Sequence, residues 1–276
     1  MGTTLEMVEI ARREEGRVAT VLREMADEHQ PFAGGVMARG LRGAWFNCAQ
    51  GAGLSGPVEG AEVDGLIAFY EERGIEPRVE VCPFADQTLI DGLAARGFVL
   101  RRFEMTFYRS ISRVEAIASP YPAPDGVTMA VVDPGDARAA EEFARVSLSG
   151  FLPEGVDPPA ELLEASKRVV THPRSIAVRA MVGGRCVGAG AMEMLGDLAT
   201  LYGVSVVPDM RRRGIQLAMM AWRLREAARR GAVIVTIGSL PGASTESNAM
   251  RMGFRVAYTK AVMVRPGAGL TPVEVG

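Results

Sequence analysis

Helix-like and strand-like periodicities alternate along this chain. Residues 5–28, rich in Glu, Arg and Ala, predict one or two helices. Residues 36–41 and 44–49 read as short strands on either side of a turn at Gly43. Residues 61–73 predict a helix stopped by Gly74, and 78–82 a strand. Residues 86–96 predict a second helix, with Asp86 as N-cap and Gly97 as stop, and 98–108 a strand or bent pair of strands. The prolines of SPYPAPDG, residues 119–126, then disfavour helix and remove ladder donors, which marks a linker. It divides the chain into an expected first domain, 1–115, and a second, 116–276.

The second stretch opens on a strand, 127–132, and a helix, 134–148, with Asp133 as N-cap and Pro134 in its first turn. A loop with three prolines, 151–159, leads to a helix at 160–170. Strands at 175–182 and 186–195 join at Gly183-Gly184, a hairpin signal, and another strand covers 198–207. A long helix over 213–230 ends at Gly231. A buried-type strand at 232–237, a helix at 244–252 and a final strand or strand pair at 255–264 complete the pattern.

Residues 72–109 and 228–265 share one order: helix end, strand, helix, then Gly-Phe opening a strand. Gly74 answers to Gly231, Gly97-Phe98 to Gly253-Phe254, and Arg109 to Arg265, at an offset of 156 or 157 residues each time. A duplicated α/β fold, each copy a mixed sheet flanked by helices, is the reading this supports.

Composition narrows the functional classes. The 276 residues are 48% hydrophobic and 23% charged, ordinary for a globular chain, and a net charge of −2 leaves no basic excess for nucleic acid. No apolar run reaches the roughly 18 residues of a membrane span, and the start MGTTLEMVEI lacks the basic and apolar regions of a secretory leader. The widely spaced Cys48, Cys82 and Cys186 read as reduced, mostly buried thiols, so a cytoplasmic location is expected. With only His29 and His172 and no Cys/His cluster, no metal is expected.

The informative stretch is LYGVSVVPDMRRRGIQLAMM, residues 201–220. A β-branched strand runs into Pro208, then Arg211, Arg212, Arg213 and Gly214, then a helix. Cations at a helix start oppose the macrodipole and cost about 0.3–1 kcal/mol each. Three arginines there read either as a solvated turn or as a site with an anion to hold, and the strand before them and the Gly plus apolar helix after them favour the anion. The free first-turn N–H groups favour the same ligand, and Gly214 leaves the approach open.

This stretch resembles motif A of the GNAT superfamily of acetyltransferases. Val206, Val207 and Pro208 match the family's strand end, and Arg211, Arg213 and Gly214 match its loop. Gln216 stands where Gly or Ala is usual. Asn248 and Gly253-Phe254 match the later motif, so the likeness runs from residue 127 to about 264. Residues 1–115 resemble the degenerate first half of tandem GNAT proteins, which makes the expected fold two tandem GNAT-like domains.

The resemblance implies acetyl-coenzyme A as cosubstrate and direct transfer of acetyl to a primary amine in a ternary complex. It implies that Val204 and Val206, with Val207 beside them, offer strand-edge groups to the pantetheine arm. The amides of Arg211, Arg212, Arg213, Gly214, Ile215 and Gln216 then hold the diphosphate, and Asn248 bonds the cofactor. The family's usual acid, a Tyr four residues before Gly-Phe, is Ala249 here, which leaves Tyr258 and Ser244 as candidate acids and Glu193 as candidate base. Ala249 also favours the alternative of a non-catalytic acyl-CoA binder. An amine-bearing acceptor is the expected partner, with neither nucleic acid nor membrane; a monomer and a homodimer are both compatible. Gly51-Ala-Gly-Leu-Ser-Gly56 matches a dinucleotide fingerprint in letters only, because Pro57 and Gly60 follow where its helix should run. Nor does 53–60, which answers to 211–214, contain a cation.

Overall fold

The computed structural model describes residues 4–273. The chain forms two compact units, and they are not successive in sequence. Unit 1 comprises Met1–Thr106 and Val256–Gly276, and unit 2 comprises Phe107–Arg255. The chain after the second repeat's Gly-Phe thus returns to the first unit.

Unit 1 contains α1 (Thr4–Met25), β1 (Glu28–Phe32), β2 (Gly35–Arg39), β3 (Cys48–Gln50), α2 (Gly60–Glu71), β4 (Arg78–Val81), α3 (Gln87–Ala94), most of β5 (Val99–Ser110) and most of the last strand. Its sheet runs β1-β2-β3-β4, then that last strand, then β5. Asp86 caps α3 as expected, accepting from the Thr88 amide at 3.0 Å. Two expectations change. Residues 44–47 form a turn instead of a strand, because the Asn47 side chain accepts from the Gly40 amide and donates to Leu41 O, both at 2.8 Å. The additional strand β1 contains Pro31, which is tolerated because β1 lies at a sheet edge. Phe69, Tyr70, Leu66, Leu89 and Leu93 build the core beneath this sheet.

Unit 2 contains β6 (Thr128–Val131), α4 (Ala137–Leu148), α5 (Ala160–Thr171), β7 (Ser175–Val182), β8 (Arg185–Leu195), β9 (Leu198–Val206), α6 (Ile215–Arg229), β10 (Ile234–Ser239) and α7 (Ser244–Arg251). The last strand, β11, spans Arg255–Val264. The sheet of unit 2 runs β10-β9-β8-β7-β6, parallel between β10 and β9 and antiparallel elsewhere. Asp136, not Asp133, caps α4: its carboxylate accepts from the Ala139 amide at 2.9 Å, while Asp133 closes a tight turn onto the Gly135 amide at 2.8 Å. Val178, Val187, Val206, Ile215 and Met219 pack between α6 and the sheet. No helix among the described residues is long and apolar enough to cross a membrane.

The repeat is visible in how each unit's parallel strand pair ends. In unit 1, β3 pairs with β4 through Gln50↔Glu80. In unit 2, β9 pairs with β10 through Leu201↔Ile237, and Ile237 lies 157 residues after Glu80. At the unit 1 position the Lys260 ammonium, carried by β11, donates to Gln50 Oε1 at 2.9 Å and to Glu80 Oε2 at 3.1 Å, and stands 3.4 Å from Glu15 Oε1. All four side chains are buried. β11 is held antiparallel to β4 by Ala261↔Val81 through Val264↔Arg78.

Burial pushes the Glu80 carboxyl up, but Lys260 and Arg78 outweigh it and hold it at about 2, against an ordinary 4.5. A carboxyl depressed in the folded state contributes its full stability above its unfolded value and loses it as pH falls toward the folded value. Wild type is therefore expected to exceed Glu80→Gln in stability above about pH 4.5, with the gap closing toward pH 2. Urea unfolding of both chains across that window checks this; a pH-independent gap contradicts it.

Candidate functional site

The sheet of unit 2 opens at one place. β9 runs to Val206 and β10 to Ser239, yet their ladder covers only Leu198–Leu201 and Ile234–Ile237. Past Leu201 the β10-facing main chain of β9 has no neighbouring strand among the described residues, and an unpaired strand edge is a template for an extended ligand. The other side of β9 is irregular at the same point. Tyr202 pairs with Ala191 and Ser205 with Ala189, so Gly203 and Val204 stand against the single residue Gly190. This is a β-bulge, and Gly203 takes its left-handed conformation with φ 60°.

Three side chains brace the bulge. From α4, Ser147 Oγ donates to Gly203 O at 2.8 Å, while Ser205 Oγ donates to Ser147 O at 2.7 Å. From α6, Arg223 Nη1 donates to Ala191 O at 2.9 Å and Tyr202 O at 3.4 Å, and Nε to Met219 O at 3.2 Å. Arg223 is fully buried, and burial lowers its pKa to about 10, so it keeps its proton at neutral pH.

Past β9, Pro208 opens a single 3-10 turn, Pro208–Met210. Arg211 is extended, Arg212 is left-handed with φ 63°, and Gly214 is left-handed with φ 78° as the N-cap of α6. No side chain caps α6, so its first-turn amides retain their capacity for an anion. The helix begins at Ile215, two residues later than the sequence pattern predicts, which places the arginines before the cap. All three arginines are exposed. Arg211 Nε donates to Val206 O at 3.0 Å, tying the loop to the strand end. Asp209, the loop's one acid, is bound by Arg185 at 2.7 and 2.9 Å, and that pairing holds its carboxyl below the ordinary range. Gly214 is half-buried; a Cβ there would stand 2.9 Å from Pro122 O in the linker.

Gln216, where small residues were anticipated, reaches α7. Its Nε2 donates to Thr245 Oγ1 at 3.1 Å, and Asn248 Nδ2 donates to Gln216 Oε1 at 2.9 Å. The structure thus brings Gln216 and Asn248 together with Val204, Val206, Val207 and residues 211–215 in unit 2. Ser244 begins α7 and is exposed. Ala249 is fully buried, so the usual acid position faces the core. Tyr258 belongs to unit 1, where its hydroxyl donates to Glu15 Oε1 at 2.7 Å.

Glu193 is buried on β8, opposite Ser175 of β7 and Thr200 of β9. Beside it lies a chain of polar groups whose connection the sequence does not reveal. His172 Nδ1 is 3.0 Å from Ser175 Oγ, which is 2.7 Å from Tyr202 Oη at the bulge. Burial lowers the His172 pKa, and the Glu193 charge only partly opposes this. Arg223 was missed too, though a signal existed: Ile215, Met219 and Arg223 are four residues apart, so an arginine occupies the inward stripe of a helix. Among the described residues no group of His, Cys, Asp and Glu has the arrangement of a metal site.

No family model and no curated protein matches the chain. Solved structures do. A GCN5-related N-acetyltransferase from Kribbella flavida superposes with a TM-score of 0.70 at 19% identity, over 95% of this chain and 97% of that one. A GCN5-related N-acetyltransferase from Sphaerobacter thermophilus gives 0.56 at 15% identity, over 76% and 70%. A tandem GNAT protein from the clavulanic acid biosynthesis pathway gives 0.53 at 14%, over 68% and 63%. These likenesses extend through both units, and with the parted strands, the bulge and the loop before α6 they identify the chain's architecture as the tandem GNAT acetyltransferase fold.

Proposed function

We propose that unit 2 binds acetyl-coenzyme A and transfers its acetyl group to a primary amine. The observation that carries this reading is the open edge of β9 leading directly into an uncapped helix N-terminus preceded by three arginines. The amides of residues 211–216 and the arginine side chains suit a diphosphate. The main chain at Val204, Val206 and Val207 suits the amides of a pantetheine arm, which would lie along β9 as an added strand. Gln216 and Asn248 join α6 to α7, and their amide groups would serve as partners for the same arm.

In this reading the amine nitrogen attacks the thioester carbon, the C–S bond breaks, and the thiolate leaves with the bonding pair. Main-chain N–H groups at the bulge receive the developing oxyanion. The ammonium proton passes to Tyr202 Oη as that hydroxyl hands its own to Ser175, and Ser175 in turn to His172. Glu193 supports the imidazolium so formed. Ser244, at the exposed start of α7, is the proposed hydrogen-bond donor to the departing sulfur. Tyr258 has no part in this scheme because its hydroxyl is bound to Glu15.

The buried Ala249 favours a second reading, a non-catalytic binder of acyl-coenzyme A. Thiol release from acetyl-coenzyme A with a panel of primary amines separates the two: turnover supports the transferase, and saturable binding without turnover the binder. Gly214→Trp is expected to abolish binding in calorimetry; wild-type affinity in a folded variant refutes the diphosphate loop. Because the deprotonated imidazole is the active form, kcat/KM is expected to rise with pH through a value below the ordinary 6.5 of histidine. His172→Gln should remove that limb, and an unchanged profile excludes the relay.

A further inference from the structure

Arg223 is a cation in the core of unit 2 with main-chain carbonyls as its partners. It is fully buried, its Nη2 has no hydrogen-bond partner among the described residues, and its Nε and Nη1 donate to main-chain carbonyl oxygens. Burying a charge away from an opposite charge is unfavourable, and an aliphatic side chain would fill an inward helix position without that cost. The group has a specific place, however. Gly190, the residue facing the bulge, has no side chain, and a Cβ there would stand 3.2 Å from Arg223 Nη1 and 3.3 Å from its Cζ. The guanidinium occupies the space behind the bulge and reaches a carbonyl on each strand.

Each carbonyl shares a peptide group with the next residue's N–H. Arg223 binds Tyr202 O, so it polarises the peptide whose N–H belongs to Gly203. Ser147 binds Gly203 O, so it polarises the peptide whose N–H belongs to Val204. Hydrogen bonds in series strengthen one another, and a charged donor does so most. Both consecutive amides of the bulge are thus made stronger donors from within the protein.

We propose that Arg223 is a positioning residue for acyl transfer: its guanidinium holds the Tyr202–Val204 bulge in shape and strengthens the bulge amides as donors to the thioester oxygen. The second half of this statement rests on the acetyltransferase reading; the first does not. Arg223→Met keeps length and apolar volume while removing charge and donors. It is expected to lower kcat about 100- to 1,000-fold, the scale of losing one oxyanion donor, with acetyl-coenzyme A affinity within about threefold of wild type. Arg223→Lys keeps the charge but cannot reach both carbonyls, and should fall between the two. Unchanged kcat in folded Arg223→Met overturns the proposal, and so does a parallel loss of kcat, affinity and melting temperature, which marks mere packing.

A crystal structure of Arg223→Met supplies a readout free of any activity. Gly203 is expected to leave its left-handed conformation and the β8–β9 register to shift. A bulge that survives intact overturns the clamp, whereas a lost bulge in a protein whose wild type binds no acetyl-coenzyme A overturns the functional reading alone. Should Arg223→Met fail to fold, Gly190→Ala crowds the guanidinium without removing it. A fall in kcat of about tenfold or more is then expected, and wild-type kcat refutes the proposal.

Discussion

β9 must satisfy its backbone although it loses a neighbour on one side and its regular register on the other within the same few residues. A main-chain donor or acceptor left dry costs about as much as a lost hydrogen bond. Three side chains of unit 2 answer this demand. Ser147 and Arg223 take the carbonyls of Gly203 and Tyr202, and Arg211 takes that of Val206. The edge that faced β10 is the remaining opening, and it leads to the helix terminus whose amides have no cap. The proposed cosubstrate, an extended chain ending in a diphosphate, would answer both at once.

The first unit shows the same architecture with its opening closed. Where β3 and β4 part, Gln50, Glu80 and Glu15 converge on Lys260, and Tyr258 adds a hydroxyl to Glu15. The loop after β3 carries no cation to attract a phosphate, and the end of the strand pair is filled by buried side chains of opposite charge. The fold supplies a cleft at the end of a parallel strand pair, and the side chains there decide whether it receives a ligand or is sealed.

The features legible in the sequence are those written in one continuous stretch. Pro208, the three arginines and Gly214 announce the turn, the charge and the helix start within a few positions, and the β7–β8 hairpin declares itself through Gly183-Gly184. The bulge is invisible in that way because it exists only as a count of β9 residues against β8 residues, and Gly203 alone does not reveal which strand it opposes. The same holds for the His172–Ser175–Tyr202 chain, whose members come from three elements. The cap of α4 fell to Asp136 because Asp133 found a nearer amide in Gly135, a competition between two turns that spacing cannot rank. Gln216 departed from the usual small residue, and only the position of α7 shows that its amide group bridges to Asn248.

The return of β11 to unit 1 has a consequence for synthesis. Every strand of the unit 2 sheet has emerged before β11 does, whereas β4 waits for its antiparallel neighbour, and Glu80, already paired with Arg78, for the Lys260 ammonium, until β11 is made. A nascent chain would hold a half-built sheet with a buried-type carboxylate exposed to water while its later-made portion is already folding. Unit 2 can thus complete its sheet before unit 1 does, although unit 1 precedes it in the chain, and β11 closes the unit begun earlier.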